Sequence, residues 1–132
     1  MIFKQVFDQK SSTYTYLIAS AEGREALIID PVLENVEDYI KLLNELNLRL
    51  VKVIDTHIHA DHVTGASKLK DLTKCSTIMG EHTPAETVEI KVKDDEYIHL
   101  DDLKIRAMHT PGHTSDSFSF LMDKYLFSGD TL

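Results

Sequence analysis

Apolar, β-branched and aromatic residues cluster over Phe3 to Phe7 and Thr13 to Ser20, on either side of a polar break at Asp8 to Ser12, and predict two strands. Glu22-Gly23 reads as a turn into Ala26-Leu27-Ile28-Ile29-Asp30, a short apolar run of the buried-strand kind that Pro31 stops. Asn35 is placed to cap a helix on which Val36, Tyr39, Ile40, Leu43 and Leu46 repeat at helical spacing. Leu50 to Ile54 returns to a strand pattern, and a second helical pattern follows through Ala66, Leu69 and Leu72 to about Thr73. Thr77-Ile78-Met79 predicts a short strand, whereas Thr83 to Lys93 shows no clear period. Tyr97 to Leu100, Leu103 to Met108, Ser117 to Leu121 and Tyr125 to Phe127 predict further strands separated by turns. Strands, helix, strand, helix and strands in that order describe an α/β domain with a mixed sheet. There is no repeat, linker or low-complexity segment.

Composition narrows the partners. The 132 residues suit one domain, 1–132, and the apolar fraction of 42% is that of an ordinary globular chain. A net charge of -8, from 22 acidic and 14 basic residues, argues against nucleic acid, whose binding draws on Lys and Arg at phosphates. An anionic substrate would need a local basic patch, and no basic run supplies one. Cys75 is the only cysteine, so no intrachain disulfide forms and a reducing compartment is expected. The first residues, Met1-Ile2-Phe3-Lys4-Gln5, do not read as a signal peptide, and no segment reaches the ~20 apolar residues of a membrane span. The expectation is a cytoplasmic protein that binds neither nucleic acid nor membrane. The sequence stops at Gly129-Asp130-Thr131-Leu132 without a closing helix, so a chain truncated at its carboxyl end is expected.

The chemistry lies in three short stretches. Thr56-His57-Ile58-His59-Ala60-Asp61-His62 follows the Leu50 to Ile54 strand and packs four potential ligands into six residues. Alternate residues of a strand face one side, so His57 and His59 can converge where the strand ends. Imidazole suits zinc, iron, copper and nickel, with carboxylate at the harder positions. His109-Thr110-Pro111-Gly112-His113-Thr114 places a Pro-Gly turn just before His113. Phe127-Ser128-Gly129-Asp130-Thr131 sets a carboxylate at a strand tip, where Gly lets backbone approach closely. Taken alone, the last two stretches are ordinary turns; beside the first they make His113 and Asp130 candidate metal ligands.

These stretches, in this order, resemble the metallo-β-lactamase superfamily, over essentially the whole chain. Phe7 to Leu17, Ile29-Asp30-Pro31-Val32-Leu33-Glu34 and His59-Ala60-Asp61-His62-Val63-Thr64-Gly65 resemble its persulfide dioxygenase (sulfur dioxygenase) branch in particular. That resemblance implies a four-layer αββα sandwich, of which this chain would supply mainly the first half. The inner sheet face is then expected to stay bare until a partner half or another chain covers it. It also implies one iron(II) per chain, held by His57, His113 and Asp130, with zinc as a possible occupant. A face of two histidines and one carboxylate is the set expected of non-haem iron oxygenases. His59, Asp61 and His62 would orient the ligands or belong to a second metal site. The implied reaction oxidises glutathione persulfide with oxygen to sulfite and glutathione, in a chain expected to form a homo-oligomer. Ser115-Asp116-Ser117-Phe118 departs from the branch, which often has smaller residues and a cysteine there.

Rival readings use the same residues. A glyoxalase II-like thiolester hydrolase would place His57 and His59 on one metal and Asp61 and His62 on another. Asp130 would bridge them, and a final histidine beyond this sequence would complete the set. A metal-binding half-domain without turnover is the non-enzyme alternative. A β-lactamase fits less well, because Cys75 is at no ligand position. The remaining candidates take plainer roles: His82 and His99 as surface or strand residues, His109 as a strand residue or ligand partner, and Cys75 as a small apolar filler. Tyr14 and Tyr16 are expected to pack in the core, and Thr56 to support the turn; no role is assigned to Thr114 or Ser117.

Overall fold

The computed structural model describes residues 1–56, 64–81, 89–110, 118–122 and 125–127. The first apolar runs form β1 (Ile2–Asp8), β2 (Thr13–Ala19) and β3 (Glu25–Ile29), each antiparallel to the one before. A short 3-10 turn at Leu33–Asn35 leads into α1 (Val36–Glu45), then β4 (Arg49–Ile54), α2 (Gly65–Thr73), β5 (Ser76–Gly80) and β6 (Ile90–Val92). From β3 to β6 each strand runs parallel to its neighbour, so six strands make one mixed sheet in chain order. The remaining strands are β7 (Tyr97–Leu100), β8 (Leu103–His109), β9 (Phe118–Met122) and β10 (Tyr125–Phe127). They form a second, antiparallel sheet in the order β10-β9-β8-β7.

Strand alternation splits the apolar residues between two cores. Leu17, Ala19, Ala26, Ile28, Leu50 and Val53 face the helices, where Val36, Tyr39, Leu43, Ala66 and Leu69 meet them. Ile18, Leu27, Ile29, Ile54 and Ile78 face the second sheet and pack on Ile105, Phe118, Phe120 and Phe127. The layers are therefore helix, sheet, sheet. The inner face expected to be bare is covered by strands of the same chain, because β7 to β10 fold back across it. Among the described residues, no helix lies on the outer face of the second sheet.

β4 departs from simple alternation. Ala26 pairs with Leu50 but Leu27 pairs with Lys52, leaving Val51 as an extra residue, a β-bulge. Leu50 and Val53 consequently share the helix face although they are three apart, and Val51 and Ile54 share the other.

Several local expectations need correcting. Asn35 occupies the cap position of α1, but its side chain makes no capping bond; its amide donates to Asp8 Oδ1 at 3.0 Å instead. Leu72, expected on the buried face of α2, is 55% exposed, because Ala66 and Leu69 already complete the contact. Tyr14 is exposed and pairs with Phe7, whereas Tyr16 does pack inward against Phe3 and Phe127. Within Thr83 to Lys93, β6 emerges as a three-residue strand paired with β5.

Candidate metal centre

Parallel strands point their carboxyl ends the same way, and α/β sheets bind ligands outside those ends. Asp30 follows the end of β3, Asp55 and Thr56 follow the end of β4, and β5 ends at Gly80. Backbone bonds stitch these ends together: Asp30 N donates to Ile54 O at 2.8 Å and Asp55 N to Ile78 O at 3.1 Å. The second sheet joins the same rim, because Phe118 N at the start of β9 donates to Thr56 O at 2.9 Å.

The residues flanking each motif are all tied to this rim. Thr56, buried at 2% exposure, gives its amide and its hydroxyl to the Asp30 carboxylate at 2.8 and 2.7 Å. On the far side of the motif, Thr64 caps α2 reciprocally with Ser67: Thr64 Oγ1 accepts from the Ser67 amide at 3.1 Å and Ser67 Oγ from the Thr64 amide at 2.9 Å. Gly65 then lies so close to the preceding turn that a Cβ there would be 2.5 Å from Pro31 O. Both ends of the 57–63 stretch are thereby referred to the turn at residues 30–32. The second motif leaves β8 at His109, whose amide donates to Asp94 Oδ1 at 2.8 Å and whose ring lies 5.2 Å from that of Phe118. Thr110 and Ser119 close its base through their hydroxyls at 2.7 Å. The third motif follows Phe127, buried against Phe3 and Tyr16 and paired with Phe120 of β9.

His57, His59, Asp61, His62, His113 and Asp130 lie outside the described residues, as do His82, Thr114 and Ser117. What the structure describes is their setting: the strand ends that carry the three motifs share one rim. Thr56 is bonded to Asp30 of the turn after β3, while the turn that follows Thr56 lies outside the described residues, and His109 is the last residue of β8. His99 is an exposed strand residue, and its carbonyl accepts from Lys52 Nζ. Cys75 is 2% exposed, and burial pushes its thiol up from the ordinary value, which keeps it protonated and a poor nucleophile. Asp55, buried at 7% exposure, carried no sequence signal beyond its place between an apolar strand and the first histidine.

Two grooves open at the other end of the strands. One is lined by Gly23, Arg24, Glu25, Arg49 and Asp101, with its charges paired as Arg24–Asp101 and Arg49–Glu25. The other is apolar and runs past Ile40, Leu43, Leu48 and Leu72. Neither is lined by a residue of the rim.

Residues 9–97 match the sequence model of the metallo-beta-lactamase superfamily, a span that includes the whole first motif. The chain belongs to the metallo-beta-lactamase superfamily. Within the superfamily it is 36% identical to the mitochondrial persulfide dioxygenase ETHE1 of Bos taurus, over 100% of this chain and 53% of that protein. It is 33% identical to a hydroxyacylglutathione hydrolase of Haemophilus ducreyi, over 89% of this chain and 49% of that one. The crystal structure of ETHE1 from Myxococcus xanthus superposes with a TM-score of 0.89 at 40% identity, covering 96% of this chain and 56% of that one. The chain thus spans about half the length of the superfamily relatives it matches. Its architecture is the corresponding part of the superfamily's αββα sandwich.

Proposed function

We propose that the chain belongs to an iron-dependent persulfide dioxygenase that oxidises glutathione persulfide with oxygen to sulfite and glutathione. The observation that carries this reading is the likeness to persulfide dioxygenases along the whole chain, through all three motifs. Hydroxyacylglutathione hydrolases also match most of the chain, 89% of it in one relative and 97% in another.

The donor set fits iron(II): His57, His113 and Asp130 offer two imidazoles and a carboxylate, leaving open positions for substrate and oxygen. Zinc suits the same atoms. Bound there, iron(II) supplies the redox chemistry by which oxygen and the persulfide's terminal sulfur react. The terminal sulfur leaves glutathione and is oxidised to sulfite, oxygen is reduced, water is consumed and glutathione departs as the thiol. The protein's own task is to hold His57, His113 and Asp130 in place. Asp30 serves this by fixing Thr56, next to His57, and the Thr64–Ser67 cap by fixing the far side of the motif. His59, Asp61 and His62 orient the ligands in this reading. Cytoplasmic residence and a homo-oligomer without nucleic-acid or membrane partners belong to the same proposal. Among the described residues, no helix is long and apolar enough to cross a membrane.

Metal content per chain and oxygen uptake on glutathione persulfide, measured on one sample, test the reading. One iron per chain with uptake is the expected result. Two metals per chain, thiolester hydrolysis and no uptake would replace it with the hydrolase, which the hydroxyacylglutathione hydrolase likeness favours.

A further inference from the structure

Tyr39 sits on the buried face of α1 at 2% exposure, where a Phe would fill the same space without needing a partner. Its hydroxyl oxygen accepts from the Val32 amide at 3.0 Å and lies 3.0 Å from Thr15 Oγ1. Thr15, also 2% exposed, donates its one hydroxyl proton to the Asp30 carbonyl at 2.7 Å, so the proton between the two hydroxyls comes from Tyr39. A directed chain results: Val32 N–H to Tyr39, Tyr39 O–H to Thr15, Thr15 O–H to Asp30 C=O. It grips the 30–32 turn at its first carbonyl and its last amide, on either side of Pro31, which has no amide to give. Asp30 needs such a grip, for it is held at φ 54, a conformation uncommon for residues other than glycine. The same turn fixes Thr56 through the Asp30 carboxylate and meets Gly65 through the Pro31 carbonyl.

We infer that the hydroxyls of Tyr39 and Thr15 are positioning groups for the first histidine motif, acting from the helix layer through the Asp30 turn on Thr56, the residue before His57. The inference rests on the reading of that motif as a metal centre. Phe and Val in these two places would bury similar apolar surface, so what the hydroxyls add is the direction of the turn.

The test uses Tyr39→Phe, Thr15→Val, their combination and Thr15→Ser in the intact protein. Amide hydrogen exchange is followed at Thr56 and, for comparison, at Ile28 and Val53 of the metal-free form. Cobalt(II) affinity is measured by chelator competition. Tyr39→Phe and Thr15→Val are each expected to speed Thr56 exchange more than exchange at the core strands. Each is also expected to weaken cobalt(II) binding about tenfold, the low end for loss of a group that orients a ligand. The double variant is expected to be no worse than either single one, and Thr15→Ser to behave as the parent. Thr56 protection that falls only in step with the core amides, or unchanged cobalt(II) affinity in both single variants, overturns the inference. If the parent chain binds no cobalt(II), the metal reading fails, and the Thr56 exchange still decides whether Tyr39 and Thr15 set that residue.

Discussion

Gly65 shows how little room the rim leaves. A Cβ there would lie 2.5 Å from Pro31 O and 2.8 Å from Pro31 C, both backbone atoms that cannot swing aside. Gly65→Ala is therefore expected to cost about 3 kcal/mol in urea unfolding, at the upper end for overpacking by one methyl. Asp30 poses the opposite problem, since removing its carboxylate leaves the buried Thr56 donors without that acceptor. Asp30→Ala is expected to lose about 2 to 4 kcal/mol, each stranded donor contributing ~1–2. Asp30→Asn should lose less, because its side-chain oxygen still accepts and Asn tolerates a left-handed backbone. Equal losses in the two variants would show that a single side-chain oxygen cannot hold Thr56. The candidate ligands were legible at this scale because so many metal-binding side chains crowd one stretch. Tyr39 was legible only as a core residue: helical spacing assigns a face, and the partners of its hydroxyl come from β2 and from the turn before the helix, neither of them on the helix itself. Tyr14 misled for a related reason, since alternation puts it on the same face as Tyr16 without saying how far along the strand that face is covered.

Among the elements, the β1–β2 hairpin carries a pH signature. The Ser11 hydroxyl, the Ser11 amide and the Asn35 amide all donate to the Asp8 carboxylate and hold it below its ordinary value of 3.8. A carboxylate with a depressed folded pKa contributes stability that is complete above its unfolded value and fades as pH falls through the folded one. The stability gap between the parent and Asp8→Asn is thus expected to stay level from neutral pH down to about 5, then close below 3.8. A gap independent of pH down to 2 would show that the charge of Asp8 plays no part. The long periodic elements, α1 and α2, were readable from spacing, and so was every described strand but β6. That strand was not, because Ile90-Lys91-Val92 lies in a stretch without a clear period and its pairing with β5 is a tertiary fact.

Across the whole molecule the two sheets are locked where Phe118 lies over Gly80. A Cβ on Gly80 would meet the Phe118 ring at 2.0 Å. Gly80→Ala is expected to cost about 2 kcal/mol or more in the parent, and much less in a Phe118→Ala background, where the ring is gone. Phe118→Ala itself is expected to lose about 3 to 5 kcal/mol. Additive losses in the double variant would mean that the two residues are not in contact. No sequence pattern announces such a pairing, since a glycine at the end of one strand and a phenylalanine at the start of another share no period. The bulge at Val51 has a consequence on this same scale. A strand has a reading frame of two, and the extra residue shifts that frame in mid-strand. The opening of β4 is packed in one frame, and its far end, with Thr56 turned to Asp30, is spelled in the other. Deleting Val51 would drop the extra letter and leave the message readable: Leu50, Lys52, Val53 and Ile54 would alternate against Ala26 to Ile29 as they already pair, and Thr56 would keep its hydroxyl on the carboxylate.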